Sequence, residues 1–468
     1  MEPRGTADMS GYGSAPAPKG DDNGKPVDPK WVTTLREYTG AGTTSSERLD
    51  VAKFVFIMLV SSGHFLEPFY KIGNRGVGAY MHAIYGFHVP AFVLISGYVS
   101  GDLNPKRRRA LIAGTLAPYV IMHILFSLFY TRAFCEGEWT DERGHPECEF
   151  VNKWALMDPV VGQWDGWDKW TFAYPFAQLW YLVSLFTKRL WRPFALEMRW
   201  TLLFHVVLGV LVGYTTIGRF LSIHRSTVHM PYFLCGFLMR KHACFFPSAK
   251  TPLAKAMAVA ALVFNVGCAL MASFTYGMRV EVWFQSDPHD EVYGTRWAYG
   301  ALYQLCLYAW TFFTMMTVFA LIPEPEAVGV VYAGEETLPL KGADVEGQTK
   351  TPSAPKANAR AGKYGKERDQ ATMAAKVYLR CAKWGARTLY PFVMHIAVLL
   401  LVARYTRWYD ITWTTDGKDA SVSVKAVWTL LMAYTFTIVL SLKPVVGLFK
   451  WLLEPNISPL FNPELQKL

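Results

Sequence analysis

The sequence predicts an all-α fold, a polytopic transmembrane helical bundle of about ten spans. Three observations predict it. The 468 residues are 52% hydrophobic and 15% aromatic, with a mean hydropathy of +0.15, too apolar for a water-soluble chain of this length. The apolar residues gather into runs of about 20, the length a helix needs to cross a bilayer. Trp and Tyr crowd the ends of these runs, where amphipathic rings sit at headgroup level.

In chain order, residues 1–46 are rich in Gly, Pro, Ala and Lys and read as a disordered cytoplasmic tail. A short surface helix is expected at Trp31–Tyr38. The tail has no signal-peptide core, so the first apolar helix is expected to direct insertion. Spans follow at about Asp50–Phe69, Tyr80–Ser100 and Ala110–Tyr130. The cluster Lys106, Arg107, Arg108 and Arg109 between the second and third pins that turn in the cytoplasm. Residues 132–173 form an acidic, Trp-containing extracytoplasmic loop. Further spans are expected at Tyr174–Leu190, Thr201–Ile217, Val228–Met239, Pro252–Tyr276 and Trp297–Ile322. The first of these ends in a basic cytoplasmic turn, Lys188, Arg189 and Arg192. Residues 323–375 read as a disordered cytoplasmic insert. The last two spans, Lys383–Arg404 and Val424–Trp451, complete the region 376–468 and leave both termini in the cytoplasm.

The net charge of +10 follows from basic loops on the cytoplasmic side, and no nucleic-acid motif accompanies it. Seven cysteines include no CxxC pair and no Cys/His cluster with metal-ligand spacing, so no metal site is expected. Cys235, Cys268 and Cys306 are expected as buried thiols. Cys135 and Cys148 flank the acidic loop and can pair if it lies in an oxidising compartment.

The first span carries charge where a plain anchor would not. Lys53 and His64 are eleven residues apart, about three turns, so they share a face roughly 16 Å apart along the axis. Ionisable groups at such depth line a cavity or a reaction path, or else the lysine snorkels and the histidine is structural. Glu67, three residues on, either fixes the tautomer of His64 or is a solvated interfacial carboxylate. His88, at the start of the second span, sits at a depth comparable to His64.

These residues fall into a pattern. Lys53 and His64 are followed by Phe87-His88-x-Pro90-x-Phe92 and Ser96-Gly97-Tyr98, then by Arg107–Arg109 and Pro118-Tyr119. Weaker blocks are Leu179-Trp180-Tyr181, Pro231-Tyr232-Phe233 with Gly236, and Tyr390-Pro391-Phe392 with His395. The pattern resembles the integral membrane acyltransferase family 3, especially its fucose 4-O-acetylase-like branch. Two features depart from it: the basic residue is Lys53 where Arg is common, and the segments 132–173 and 323–375 look like additions.

The resemblance implies an acyl-CoA-dependent O-acyltransferase. It would move an acyl group, with acetyl expected, from cytoplasmic acyl-CoA to a hydroxyl of a carbohydrate or glycan acceptor. His64 would be the base or a transiently acylated nucleophile, with Glu67 and His88 assisting. Lys53, Arg107, Arg108 and Arg109 would engage the CoA phosphates, although the arginine cluster is also a topology signal. Acetyl-CoA would be a donor substrate rather than a resident cofactor, and lipid the only other partner. Ser96 and Gly97 are expected to permit close packing. His123, His205 and His395 are expected as structural histidines, His395 least firmly because its block echoes the family. Trp164, Trp167 and Trp170 are expected at the interface. The rival readings are a transporter or channel using the charged path, against which stands the lack of a repeat or of a second broken helix in a matching position, and a catalytically silent scaffold. The expected location is a secretory-pathway or plasma membrane.

Overall fold

The computed structural model describes residues 45–133, 175–215, 220–330, 372–406 and 420–457, with Ile217, Trp408, Tyr409 and Pro459. The expected surface helix, the Cys135–Cys148 pair and the three loop tryptophans lie outside these residues. Among the described residues there are helices and no strand.

Helix α1 runs over Ser46–Lys71, capped by Ser45, whose hydroxyl accepts from the Arg48 N–H. It is the hub of the bundle. A turn at Ile72–Asn74, with Gly73 at φ +86°, leads into α2 (Arg75–Tyr85) and then α3 (His88–Tyr98). The expected single span Tyr80–Ser100 is therefore broken at Gly86–Phe87. Pro90 explains the break, because its ring excludes the carbonyl of Gly86, four residues back, from a helical bond. The same chemistry recurs. Pro118 follows the widened turn Ile112–Leu116 that joins α4 (Pro105–Leu111) to α5 (Ala117–Ala133).

Next come α6 (Trp180–Glu197), α7 (Thr201–Leu211), α8 (Ile223–Val228), α9 (Met230–Lys241), α10 (Pro252–Leu270), α11 (His289–Tyr293) and α12 (Gly300–Leu321). The pair α13 (Met373–Gly385) and α14 (Leu389–Tyr405) is bent by 76°, just ahead of Pro391. The pair α15 (Ala420–Leu440) and α16 (Lys443–Leu453) parts ahead of Pro444.

Among the described residues six helical stretches are long and apolar enough to cross a membrane, and a seventh span arises if α13 and α14 are joined. Three of the ten expected spans fall short by this measure. Helix α6 carries three cations, and α7 and α9 have only 11 and 12 residues. Apolar side chains such as Leu203, Val263, Phe313 and Trp428 are exposed on the outer faces, as lipid contact requires. Cys306, expected as a buried thiol, is exposed on that surface, and Cys235 and Cys268 are only partly buried. Within the expected insert, Pro323 accepts from the Tyr378 hydroxyl and Thr372 caps α13, so both flanks belong to the folded body.

Helices α3 and α9 meet backbone to backbone. A Cβ on Gly97 would lie 1.9 Å from the Phe233 carbonyl oxygen, and one on Gly236 would lie 2.0 Å from that of Leu94. Only glycine permits this approach. Gly97→Ala is expected to cost about 1–3 kcal/mol or more, because neither backbone can yield without shifting its helix. A melting temperature in detergent equal to that of wild type would contradict this.

At the opposite end, Glu281 accepts from the Tyr70 hydroxyl at 3.1 Å and pairs with Lys71 at 3.4 Å and Arg279 at 3.7 Å. Burial alone would raise its carboxyl, but its own backbone N–H, the two cations and Tyr70 outweigh that and hold it below the ordinary value. The staple is thus complete above the ordinary carboxylate range and is lost as pH falls through the lowered value. It fastens the connection after α10 to the end of α1.

Candidate functional site

Pro90 and Pro391 stand at the starts of α3 and α14, which pack on α1, and Pro231 starts α9, which packs on α3. Helix α1 presents His64 and, one turn on, Glu67. Glu67 is 6% exposed, and its Oε2 lies 3.6 Å from His64 Nδ1. That is ion-pair distance and slightly long for a hydrogen bond. Glu67 is therefore not a solvated interfacial carboxylate. The His64 side chain is 26% exposed although it lies deep in the bundle, so its ring borders open space, while Nδ1 itself is buried. The His395 ring of α14 faces it, with centroids 5.2 Å apart and planes 33° apart.

Five buried histidines can be sorted by what each ring nitrogen touches, since a nitrogen opposite a carbonyl must be the protonated one. His205 donates from Nδ1 to the Thr201 carbonyl at 2.7 Å, and its Nε2 accepts from Trp191 at 2.9 Å. His82 donates to the Met278 carbonyl and accepts from Trp283. Both are satisfied structural groups, as expected for His205. His88, His229 and His395 differ. Each donates from Nδ1 to the carbonyl four residues back, Ile84 at 2.7 Å, Arg225 at 2.8 Å and Pro391 at 2.8 Å. This leaves Nε2 with its lone pair outward. His395 Nε2 is buried with no hydrogen-bond partner, which sets it apart from a satisfied structural histidine. His123 packs on Tyr119, at 5.5 Å, away from this group.

Aromatic rings join these histidines. Tyr85 stands edge-on to His88 at 4.9 Å and covers Gly63, where a Cβ would meet its ring at 2.8 Å. Phe392 lies 6.4 Å from His395 and 5.2 Å from Tyr181, and Tyr181 shares a 2.9 Å hydrogen bond with Ser96. Trp180 lies 5.9 Å from His229 and carries the Arg225 guanidinium on its face at 4.6 Å. Arg225 lies within electrostatic reach of His64, and its Nε donates to the Phe284 carbonyl at 3.2 Å. A small cavity of mixed polar and apolar lining lies beyond, bordered by Tyr85, Pro90, His229, Trp283, Gln304 and Thr311 among others.

The cations named from sequence lie elsewhere. Lys53 is paired with Asp50 at 2.6 Å, about 16 Å from His64 along α1. Arg107 and Arg108 are exposed and Arg109 is half-buried. Arg107 reaches the Asp102 carbonyl at 3.4 Å. Lys188 and Arg192, expected in a basic cytoplasmic turn, are each only 2% exposed. Sequence reasoning missed this burial, and it missed Arg225 and His229 as members of the histidine cluster. The available signal was an i, i+4 basic pair opening an apolar helix. Among the described residues no group of His, Cys, Asp and Glu could hold a metal.

A buried imidazole pair, one member beside a carboxylate and bordering open space, can take a proton from a hydroxyl and return it to a leaving group. A comparison with curated proteins and with solved structures finds no match. The family model described as an acyltransferase domain matches residues 46–326, well over half of the chain, from the first residue of α1 to the turn after α12. The chain belongs to acyltransferase family 3 and is an integral membrane acyltransferase.

Proposed function

We propose that the protein transfers an acyl group, acetyl first, from acyl-CoA on the cytoplasmic side to a hydroxyl of a carbohydrate or related acceptor. The observation that carries this reading is the facing pair His64 and His395 at 5.2 Å, with buried Glu67 at 3.6 Å from His64 Nδ1. Glu67 favours the tautomer with the proton on Nδ1, leaving Nε2 of His64 as the base. Nε2 takes the hydroxyl proton as the oxygen attacks the thioester carbonyl. The C–S bond then breaks, the acyl ester forms, and the proton passes to the departing thiolate. His88 orients the reacting groups. Arg107, Arg108 and Arg109, with Lys53 deeper on α1, attract the phosphates of the donor.

The test is purified full-length protein in lipid nanodiscs with radiolabelled acetyl-CoA and a panel of sugars and glycans. The expected result is label transfer to an acceptor with one free CoA thiol released per ester formed. Wild-type protein that neither binds acyl-CoA nor releases CoA would overturn the reading.

A further inference from the structure

Three cations on α6 have no role in the chemistry above. Lys188 is 2% exposed, and its Nζ donates to the Ser184 hydroxyl one turn back. No carboxylate pairs with it among the described residues. Arg189 is half-buried, its Nε is buried without a hydrogen-bond partner, and no ion pair engages it among the described residues. Its side chain leans towards the start of α6, as long helical side chains do, and comes within electrostatic reach of Tyr181. Arg192, 2% exposed, lies over the Phe237 ring at 4.5 Å and donates to the Gly101 carbonyl at 2.8 Å. Its Nε is likewise buried and unpartnered. Among the described residues it forms one ion pair, with Asp102, 3.8 Å away and 95% exposed. Arg107 approaches from the facing turn, close enough to act on Arg192.

Lys188 and Arg189 thus have no counter-ion among the described residues, and that of Arg192 is a solvated carboxylate; buried cations so little compensated are unfavourable, because water is lost and little replaces it. A topology signal does not require burial, since loop arginines fulfil that role while solvated. A bound anion resolves the imbalance. The fork of an arginine suits phosphate oxygens, and a lysine adds a point charge.

We propose that Lys188, Arg189 and Arg192 of α6 form an inner phosphate-binding subsite that holds the pyrophosphate of the acyl donor, in addition to the exposed Arg107–Arg109 turn. This rests on the acyl-CoA reading above. The layout supports the donor as occupant. From Arg192 back to Tyr181 is about 16 Å along α6, of the order of an extended pantetheine arm. Tyr181 then leads through Phe392 to His395 and His64 by ring contacts of 5.2, 6.4 and 5.2 Å. Phosphates held by the three cations would carry the thioester end of the arm as far as Tyr181, the start of the ring path to the histidine pair.

The same chemistry could be met by the headgroup of an anionic phospholipid, so the experiment separates the two sources. Binding of CoA and of pantetheine, which lacks the phosphates, is measured for wild type, Arg189→Gln and Lys188→Met in nanodiscs of pure phosphatidylcholine and of phosphatidylcholine with phosphatidylglycerol. The expected result is that each variant weakens CoA about 10-fold or more while pantetheine binding stays the same, so the advantage of CoA over pantetheine collapses. A variant that merely misfolds would weaken both ligands together, and that result would overturn the assignment. Unchanged CoA affinity with loss of the stabilisation by phosphatidylglycerol would assign the cations to lipid and overturn the donor site. If wild type neither binds acyl-CoA nor releases CoA, the acyl-CoA reading fails on its own. The phosphate site is then judged by pyrophosphate alone: a rise in melting temperature in wild type but not in Arg189→Gln keeps it, and no rise overturns it.

Discussion

His64→Ala is expected to lower acyl transfer by about 10³-fold, within the range that a positioned general base contributes, while leaving the protein folded. The structure makes this a clean test. The side chain of His64 borders open space and its Nδ1 makes no hydrogen bond, so removing the ring breaks no hydrogen bond, and the one buried neighbour it leaves is Glu67 at 3.6 Å, whose effect the melting temperature reads. His395→Ala is expected to impair transfer as well, since its bare Nε2 and ring face the same space. His205→Ala should instead act on stability, because it frees the Trp191 N–H and the Thr201 carbonyl. Initial rates with labelled acetyl-CoA, alongside melting temperatures in detergent, separate the two classes. An His64→Ala enzyme within about 3-fold of wild type would move the base elsewhere, since that is far below the contribution of a general base.

The fold class was legible because hydrocarbon imposes length and apolarity on every span, and such runs show in a sequence without any tertiary knowledge. Span continuity was less legible. Pro90, Pro391 and Pro444 were visible, yet a proline in an apolar run can kink a helix or end it, and only the neighbouring packing decides. Periodicity placed Lys53 and His64 on one face, but it is blind to partners from other helices. It could not show that His395 meets His64 across 331 positions of sequence. Burial of charge was the least legible feature. A basic run at the end of a span reads as a positive-inside signal, whereas Lys188 and Arg192 are buried, Arg192 between α9 and the turn after α3. Glu67 was ambiguous for the same reason. One turn from a membrane surface, exposure and enclosure look alike until the helices around α1 are in place.

Arg48→Met is expected to destabilise the protein by about 3–5 kcal/mol, the range seen when one member of a buried charged network is removed. Arg48 sits in the first turn of α1 and is 1% exposed. Its Nε donates to the Ile322 carbonyl at 3.0 Å, Nη1 to the Phe246 carbonyl at 3.2 Å and to Glu324 at 2.6 Å, and Nη2 to the carbonyls of Pro247 and Phe319 at 2.5 and 2.8 Å. Phe319 and Ile322 belong to the C-terminal end of α12, where carbonyls lack helical partners and the dipole is negative. A cation delivered from α1 satisfies both needs and ties α12 and the segment after α9 to the hub helix. Methionine matches the volume but would leave four carbonyls and a carboxylate facing an apolar side chain. Lysine would not rescue it, because a single ammonium with three donors cannot reproduce the planar fork. Arg48 and Glu324 also stand within three residues of either end of the matched family region, so this contact closes the acyltransferase core on itself. Denaturation midpoints in detergent would show the loss. Because α1 also carries His64, transfer activity should fall in step with the folded fraction rather than ahead of it, and an Arg48→Met protein as stable as wild type would contradict this account of the network.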